Sequence, residues 1–282
     1  MKKTIMLSLI VTSLVTGANT VDNLKINQQN RITSSSKIDN AIVNQGNIEV
    51  IGASNVEDVT IFQKGSQGGN IIENSDIIGN INQKPIISQG FTKIKNAKVK
   101  DLTLQSINEI INVNSIHGNS KIEQASFIIT DSNATDSNGH AIDIDSLNSI
   151  KGSSTTSNMD VNGTEIKQAV VVVTNGAEVD NLSLKYDNDI LESDIDSVEI
   201  YQGTLDVNSS EVNELYVEIS GGNNKAIQLI NATDITGGSV HQNSIHISNN
   251  AYVNVMKVYT TNKIENSTST DSTISQSEIT IK

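Results

Sequence analysis

The chain has 282 residues, a net charge of -13 and 3% aromatic residues, with one Pro and neither Cys nor Trp. Without cysteine, disulfides, thiolate-ligated zinc and cysteine nucleophiles are excluded. The negative charge disfavours anionic partners, so we expect no nucleic-acid partner.

The first 18 residues have the pattern of a secretory signal peptide. Lys2 and Lys3 precede an apolar stretch over 5–15, and small residues at 16–18 suit signal-peptidase cleavage. The apolar stretch is too short to span a bilayer, and no later segment is apolar enough to do so. We therefore predict a signal peptide over 1–18, no membrane-spanning segment, and a secreted or cell-surface protein.

Residues 19–35 are polar and are predicted to form a leader or an N-terminal cap. From residue 36 to residue 282 one phrase recurs, small-x-β-x-x-x-x-β, in which β is Ile, Val or Leu. Copies begin at Ser36, Ser54, Ala97, Thr164, Ala177, Ser193, Ser210, Gly238, Ala251 and Ser272. Self-similarity of this kind is typical of stacked repeat proteins, which we treat as one domain.

The local hydrophobic period is two, as in 99–104 and 179–184, and no helical stripe of twelve residues follows the signal peptide. Successive phrases, degenerate copies included, begin about one coil of a parallel β-helix apart. We predict an all-β fold, a right-handed parallel β-helix (β-solenoid) with irregular coils of about 16–22 residues.

Within each phrase, the two β positions are predicted to point inward and to stack on their equivalents in neighbouring coils. A polar residue three positions before the second β is predicted at a corner, and stacked Asn side chains are predicted to form hydrogen-bonded ladders along the axis. These positions are Asp58, Asp101, Asn181, Gln242 and Gln276. As a test of this register, we predict that Leu184 points inward and Ser183 outward.

Three polar segments are predicted to leave the solenoid. They lie around 125–163, 220–225 and 262–271, where Ser, Thr, Asn and Asp predominate.

The first of these segments resembles a calcium loop, because oxygen-bearing side chains alternate before Gly139. Its candidate ligands are Asp131, Asn133 and Asp136. Ile142 stands where such a loop needs a bidentate Glu, so the alternative is a solvated turn cluster. We therefore expect no cofactor, with calcium as the alternative.

A second cluster gathers carboxylates at Asp187, Asp189, Asp194 and Asp196. Polysaccharide-cleaving enzymes use paired carboxylates as acid and base or nucleophile, so this cluster predicts an alternative function on polysaccharide. The other interpretation is a solvated acidic face, because the aromatic side chains that stack on sugars are scarce here.

The repeated phrase, the export signal and the Asn- and Ser-rich composition together resemble bacterial surface β-helix proteins of the adhesin type. A weaker likeness is to curlin-type amyloid subunits, which fragments 78–83 and 116–124 echo. The resemblance implies a structural or adhesive surface protein, with a surface glycan or protein as ligand. It supplies no catalytic residues. Self-association end to end into fibres is predicted separately, because the final strand at 278–282 shows no obvious cap.

Overall fold

A computed structural model describes residues 15–16, 20–22, 25–27, 29–33, 37–39, 41–52, 55–63, 69–79, 84–135, 141–153, 158–218 and 228–282. Within these ranges the chain is all-β, and every pairing between its strands is parallel. No helix of the length and apolarity required for a membrane span occurs in them. The parallel pairing is compatible with a β-helix-like fold.

The strands are short at the N-terminal end and become longer in the middle of the chain. The first are β1 (Val15–Thr16), β2 (Thr20–Asp22), β3 (Lys25–Asn27), β4 (Asn30–Thr33), β5 (Lys37–Asp39), β6 (Ile42–Gln45), β7 (Ile48–Ile51), β8 (Asn55–Gln63), β9 (Asn70–Glu73), β10 (Asp76–Ile78), β11 (Ile86–Gln89) and β12 (Thr92–Lys95). The next are β13 (Lys98–Val113), β14 (Ser115–His117), β15 (Lys121–Gln124), β16 (Phe127–Thr130), β17 (Asn133–Thr135), β18 (Ile142–Gly152), β19 (Met159–Asn162), β20 (Glu165–Gln168), β21 (Val171–Thr174) and β22 (Glu178–Gln202). The last are β23 (Leu205–Asn208), β24 (Glu211–Glu218), β25 (Gln228–Gln242), β26 (Ile245–Ser248), β27 (Tyr252–Tyr259), β28 (Asn262–Glu265), β29 (Thr268–Thr270), β30 (Thr273–Gln276) and β31 (Ile279–Ile281).

The strands form an 8-stranded and a 23-stranded sheet. The smaller sheet has the order β1-β7-β12-β16-β21-β23-β26-β31, so it follows the chain from one end of the stack to the other. The larger sheet contains the remaining strands, because long strands such as β13 and β22 run round corners and join neighbouring stacks.

Strands that pair in register one after another form a stack. We call one layer the stretch of chain from a residue to its partner on the next strand of the same stack. Residues at equivalent positions in successive layers are 33 to 45 residues apart, as between Leu182 and Leu215 or Ala134 and Val179. The predicted coil of about 16–22 residues was therefore too short by about half. The phrase marks a strand, a corner and the next strand, and this local geometry occurs more than once in each layer.

Side chains alternate between the interior and the surface, as a period-2 strand requires. Both β positions are buried in eight of the ten phrases, which confirms the inward prediction there, for example at Val99 and Leu104. The buried residues form two apolar clusters, one around Leu184 and the other around Ile110. The interior thus has two separate apolar parts.

Left-handed residues make many of the corners. Asp58 has φ 50° and Asp101 has φ 53°, so the predicted corners at these two positions are confirmed. Asn and Asp tolerate this conformation better than most residues, which explains why they make up most of the described non-glycine residues with positive φ. At Gln242 and Gln276 the side chain points along the interior, and the next residue takes the left-handed conformation.

Two of the predicted polar excursions differ from the structure where it describes them. Residues 262–271 contain β28 and β29, both paired in register with β25. Within 125–163, strands β16 to β19 all pair with neighbouring layers. Strand pairing there needs backbone groups and a few inward apolar residues, so a Ser- and Thr-rich composition does not prevent it. The third segment, 220–225, lies outside the described residues.

The predicted signal peptide and leader are described only in part. Residues 1–14 lie outside the description, whereas β1 pairs with β7 in register. Of the leader, β2, β3 and β4 pair in parallel with β8 and β9, as later layers do with one another.

Candidate functional site

A column of glutamine side chains runs along the interior through every layer. Each Gln after the first donates Nε2 to Oε1 of the preceding Gln, at 2.5–2.9 Å. The members of this glutamine ladder are Gln45, Gln89, Gln124, Gln168, Gln202, Gln242 and Gln276. Because donor and acceptor alternate in one direction, the ladder has a fixed polarity along the stack.

A second column of amides stands opposite and forms an asparagine ladder. Its members are Asn30, Asn70, Asn108, Asn148 and Asn188, joined by Nδ2 to Oδ1 hydrogen bonds of 2.8–2.9 Å. In each of these layers the Gln Nε2 also donates to the main-chain carbonyl of the Asn, at 2.9–3.3 Å. The two ladders therefore meet across the interior and form a polar wall between the apolar clusters.

Sequence reasoning placed Gln242 and Gln276 at corners and expected ladders of Asn, so it missed the glutamine ladder. The missing signal was the local pattern β-x-Gln followed by a small or left-handed residue. The residue after each ladder Gln has positive φ: Gly46, Gly90, Ala125, Ala169, Gly203, Asn243 and Ser277. The spacing of these Gln residues would have given the layer length.

The last layer repeats the chemistry of the interior but is exposed. We call the surface formed by β27 to β31 the end face. Ile274, Ile279 and Ile281 are 40%, 49% and 69% exposed. Their partners in the layer beneath are Val240, Ile245 and Ile247, which are 1%, 2% and 5% exposed.

The glutamine ladder also reaches the end face. Gln276 is exposed, whereas Gln242 beneath it is fully buried. Gln276 donates to Gln242, and no donor to Gln276 Oε1 occurs among the described residues. The end face is therefore a sheet edge with open backbone groups, an apolar surface and an unused acceptor, and a further strand layer could pair with it.

Asp187 and Asp189 lie together on the outward side of β22, and both are half-buried. The register stacks Asp187 on Leu147 and Ile107, and it stacks Asp189 on Ser149 and Glu109. We call this surface the acidic face. Burial beside Leu147 and Ile107 raises the pKa of Asp187.

Burial also raises the pKa of Asp189 to about 7, with a further contribution from the Asp187 carboxylate. Desolvation likewise raises the pKa of Glu109, two strands away, although Arg31 opposes the shift. A carboxyl that keeps its proton near neutral pH can donate that proton.

Asp194 and Asp196 are not part of this face. The chain turns at Glu192, where φ is 56°, and both carboxylates then lie exposed beyond the corner. Asp194 accepts a hydrogen bond from Asn158, and Asp196 accepts one from Asn162. The structure therefore separates the predicted four-carboxylate cluster into two pairs.

The calcium candidates are spread over a corner and a strand. Asp131 is exposed at a left-handed corner with φ 49°, and Asn133 begins β17, where its Nδ2 donates to Glu178. Asp136 lies outside the described residues. No group of three His, Asp or Glu side chains suited to a metal occurs in the described part of the chain.

Comparison with protein-family models, with curated proteins and with solved structures finds no match to this chain.

Proposed function

We propose that the chain is an exported structural or adhesive surface protein, folded as a right-handed parallel β-helix, that associates end to end into fibres. The observation that carries the proposal is the end face. Its residues are of the types that fill the interior, yet they are exposed in the single chain. Exposed apolar strand edges are templates for pairing, and proteins usually blunt them.

The architecture supports this function in a second way. The side chains with fixed partners in layer after layer are the two amide ladders, which serve stacking. Ladders of stacked amides stabilise strand assemblies in which identical side chains lie over one another. Such a stack offers a long, repetitive outer surface, on which a surface glycan or a host protein could be bound.

Localisation and assembly test this proposal together. Cells that produce the chain naturally should bind an antibody to residues 36–282 without permeabilisation, and the purified protein should elongate as its concentration rises. Electron microscopy and size-exclusion chromatography measure the second property. A protein that stays in the cytoplasm, or a strict monomer at high concentration, would contradict the proposal.

A second candidate function is an enzyme acting on polysaccharide, and the acidic face favours it. Asp189, with its pKa raised to about 7, has the property that a general acid needs, and Asp187 on the same face is the neighbouring carboxylate. Release of reducing ends from soluble polysaccharides should then be lost in Asp189→Asn and kept in Asp194→Asn. Absence of any release by the parent chain argues for the structural function.

A further inference from the structure

We propose that the end face binds the N-terminal layer of a second copy of this chain, head to tail, so that the glutamine ladder continues from one copy into the next. This inference rests on the proposed function, because it names the partner and the orientation for the surface on which that function depends.

The polarity of the ladder selects the N-terminal layer as the partner. Gln276 Oε1 is an acceptor without a donor among the described residues. At the other end, Gln45 Nε2 donates only to the Asn30 and Ile71 carbonyls, both at 3.3 Å, with no described Gln before it. A second copy placed with its Gln45 over Gln276 would repeat the hydrogen bond found at every interior step. Two end faces placed together would instead oppose two acceptors.

The N-terminal layer also has free strand edges to offer. In the described residues β5 pairs only with β10, and β6 pairs only with β11. The outer edges of β5 and β6 can therefore accept β29 and β30 of another copy. In the register that stacks Gln45 on Gln276, Val43 falls over Ile274, so the apolar positions match as well.

In the 8-stranded sheet, β1 occupies the edge of β7 that this contact would need. It pairs Val15 with Val50 of β7, on the side where β31 of a second copy would lie. The predicted signal-peptide cleavage at 16–18 removes β1 and frees β7, which places Ile48 over Ile279. Assembly would thus follow removal of the signal peptide, after export.

We call the contact between the end face of one copy and the N-terminal layer of the next the joint. Repeating this joint does not close the assembly into a ring. A head-to-tail contact uses two different surfaces, so each added copy presents a new end face. Because the ladder and the strand edges fix the register, every joint in a fibre has the same geometry. The expected assembly is an open, polar filament whose axis is the stacking direction of the layers.

Cysteine cross-linking tests this geometry, because the natural chain contains no cysteine. Asn44 and Ser275 point outward in the same stack, one in its first layer and one in its last. In one molecule they are separated by the whole stack. In the joint their Cα atoms would lie at the strand spacing of about 4.8 Å, within the range for a disulfide.

The exported and processed chain carrying Asn44→Cys and Ser275→Cys should form a ladder of covalent oligomers on mild oxidation. Mass spectrometry should identify the 44–275 link. Each single-cysteine variant should stay uncross-linked. A second pair, Glu49→Cys with Thr280→Cys in the 8-stranded sheet, should behave in the same way and guards against a local folding defect in the first.

Cross-links between two copies of residue 275 in the single variant would overturn the head-to-tail orientation. So would association on size exclusion without a 44–275 or a 49–280 link. In both cases surface staining of the native cells still decides the proposed function independently. An equal yield of cross-linked oligomers from a variant that retains residues 1–18 would overturn the blocking role of β1.

Discussion

Gln276 Nε2 donates a ladder hydrogen bond of 2.5 Å to Gln242 Oε1, yet Gln242 is fully buried and Gln276 is exposed. Another layer covers Gln242, whereas no described layer covers Gln276. Both side chains belong to the glutamine ladder that fills the interior. A further layer could therefore add over the outermost one, Gln276.

The glutamine ladder should contribute strongly to stability. Replacing Gln168 by Leu removes the donor to Gln124 Oε1 and to the Asn148 and Asp189 carbonyls, and the ladder acceptor for Gln202 Nε2, in a buried wall. Since each buried unpaired group costs about 1–3 kcal/mol, we expect a loss of about 3 kcal/mol or more in the free energy of unfolding. Urea unfolding measures it.

The matched control for this substitution is Gln105→Leu, on the outward side of β13, with an expected change of about 0.5 kcal/mol or less. Similar midpoints for the two variants would mean that the ladder contributes no more than a surface residue.

Two neighbouring residues test the register of β22. Leu184 is inward and buried in an apolar cluster, so Leu184→Ala should cost about 2–5 kcal/mol through lost burial and a cavity. Ser183 points to the other side but is only 1% exposed, and its Oγ finds no partner in the described residues. Ser183→Ala should therefore be neutral or slightly stabilising. Thermal midpoints that fall equally in both variants would contradict the assignment.

Stability should fall as the pH rises from about 4 to about 8, because the acidic face holds protons in the folded state. The folded pKa of Asp189, about 7, exceeds its ordinary value of 3.8, and burial raises the pKa of Asp187 and Glu109 in the same direction. This contribution is fully present below the ordinary value and is lost as the pH passes the folded value.

Urea midpoints measured between pH 4 and pH 8 check the sign. Asp189→Asn should flatten the dependence and raise the midpoint at pH 8. The control Asp58→Asn removes one carboxylate at an exposed corner and should leave the slope nearly unchanged. A midpoint that rises with pH would contradict the mechanism.

A lysine on the end face should stop association without unfolding the chain. Ile281→Lys and Ile274→Lys place a charge on exposed apolar positions, where a second copy would have to desolvate it. Ile86→Lys, on the outward side of β11, is the control. Sedimentation at high concentration should show monomers for the first two variants and assemblies for the third, with unchanged β-type circular dichroism in all.

Salt should strengthen the association. In the proposed joint Lys257 falls over Lys25, and Lys263 falls over Arg31. The full chain has a net charge of -13, and removal of residues 1–18 takes away two lysines, so each copy in the joint is strongly negative. Screening these repulsions should favour contact, since the Debye length falls from about 10 Å at 0.1 M to about 3 Å at 1 M salt. Light scattering measures the size of the assemblies across this salt range. Dissociation at high salt would point instead to a joint held by opposite charges.

Much of the local structure could be predicted from the sequence. Period-2 alternation fixed which side of each strand is apolar, as Val99 and Leu104 illustrate, because adjacent side chains of a strand point to opposite sides. Asp58 and Asp101 were recognised as corners, since few residue types accept a left-handed backbone. These properties depend on a residue and its near neighbours.

The sequence by itself therefore determined the strand content, the inward positions and several corners. Only the tertiary structure decided the layer length, the polar wall and the separation of Asp187 and Asp189 from Asp194 and Asp196. Those depend on which strands meet after 33 to 45 residues, and a short repeated phrase fits equally well at every corner. Pairing between layers resolves this ambiguity, because the observed stacking places Gln on Gln from Gln45 to Gln276 and Asn on Asn from Asn30 to Asn188.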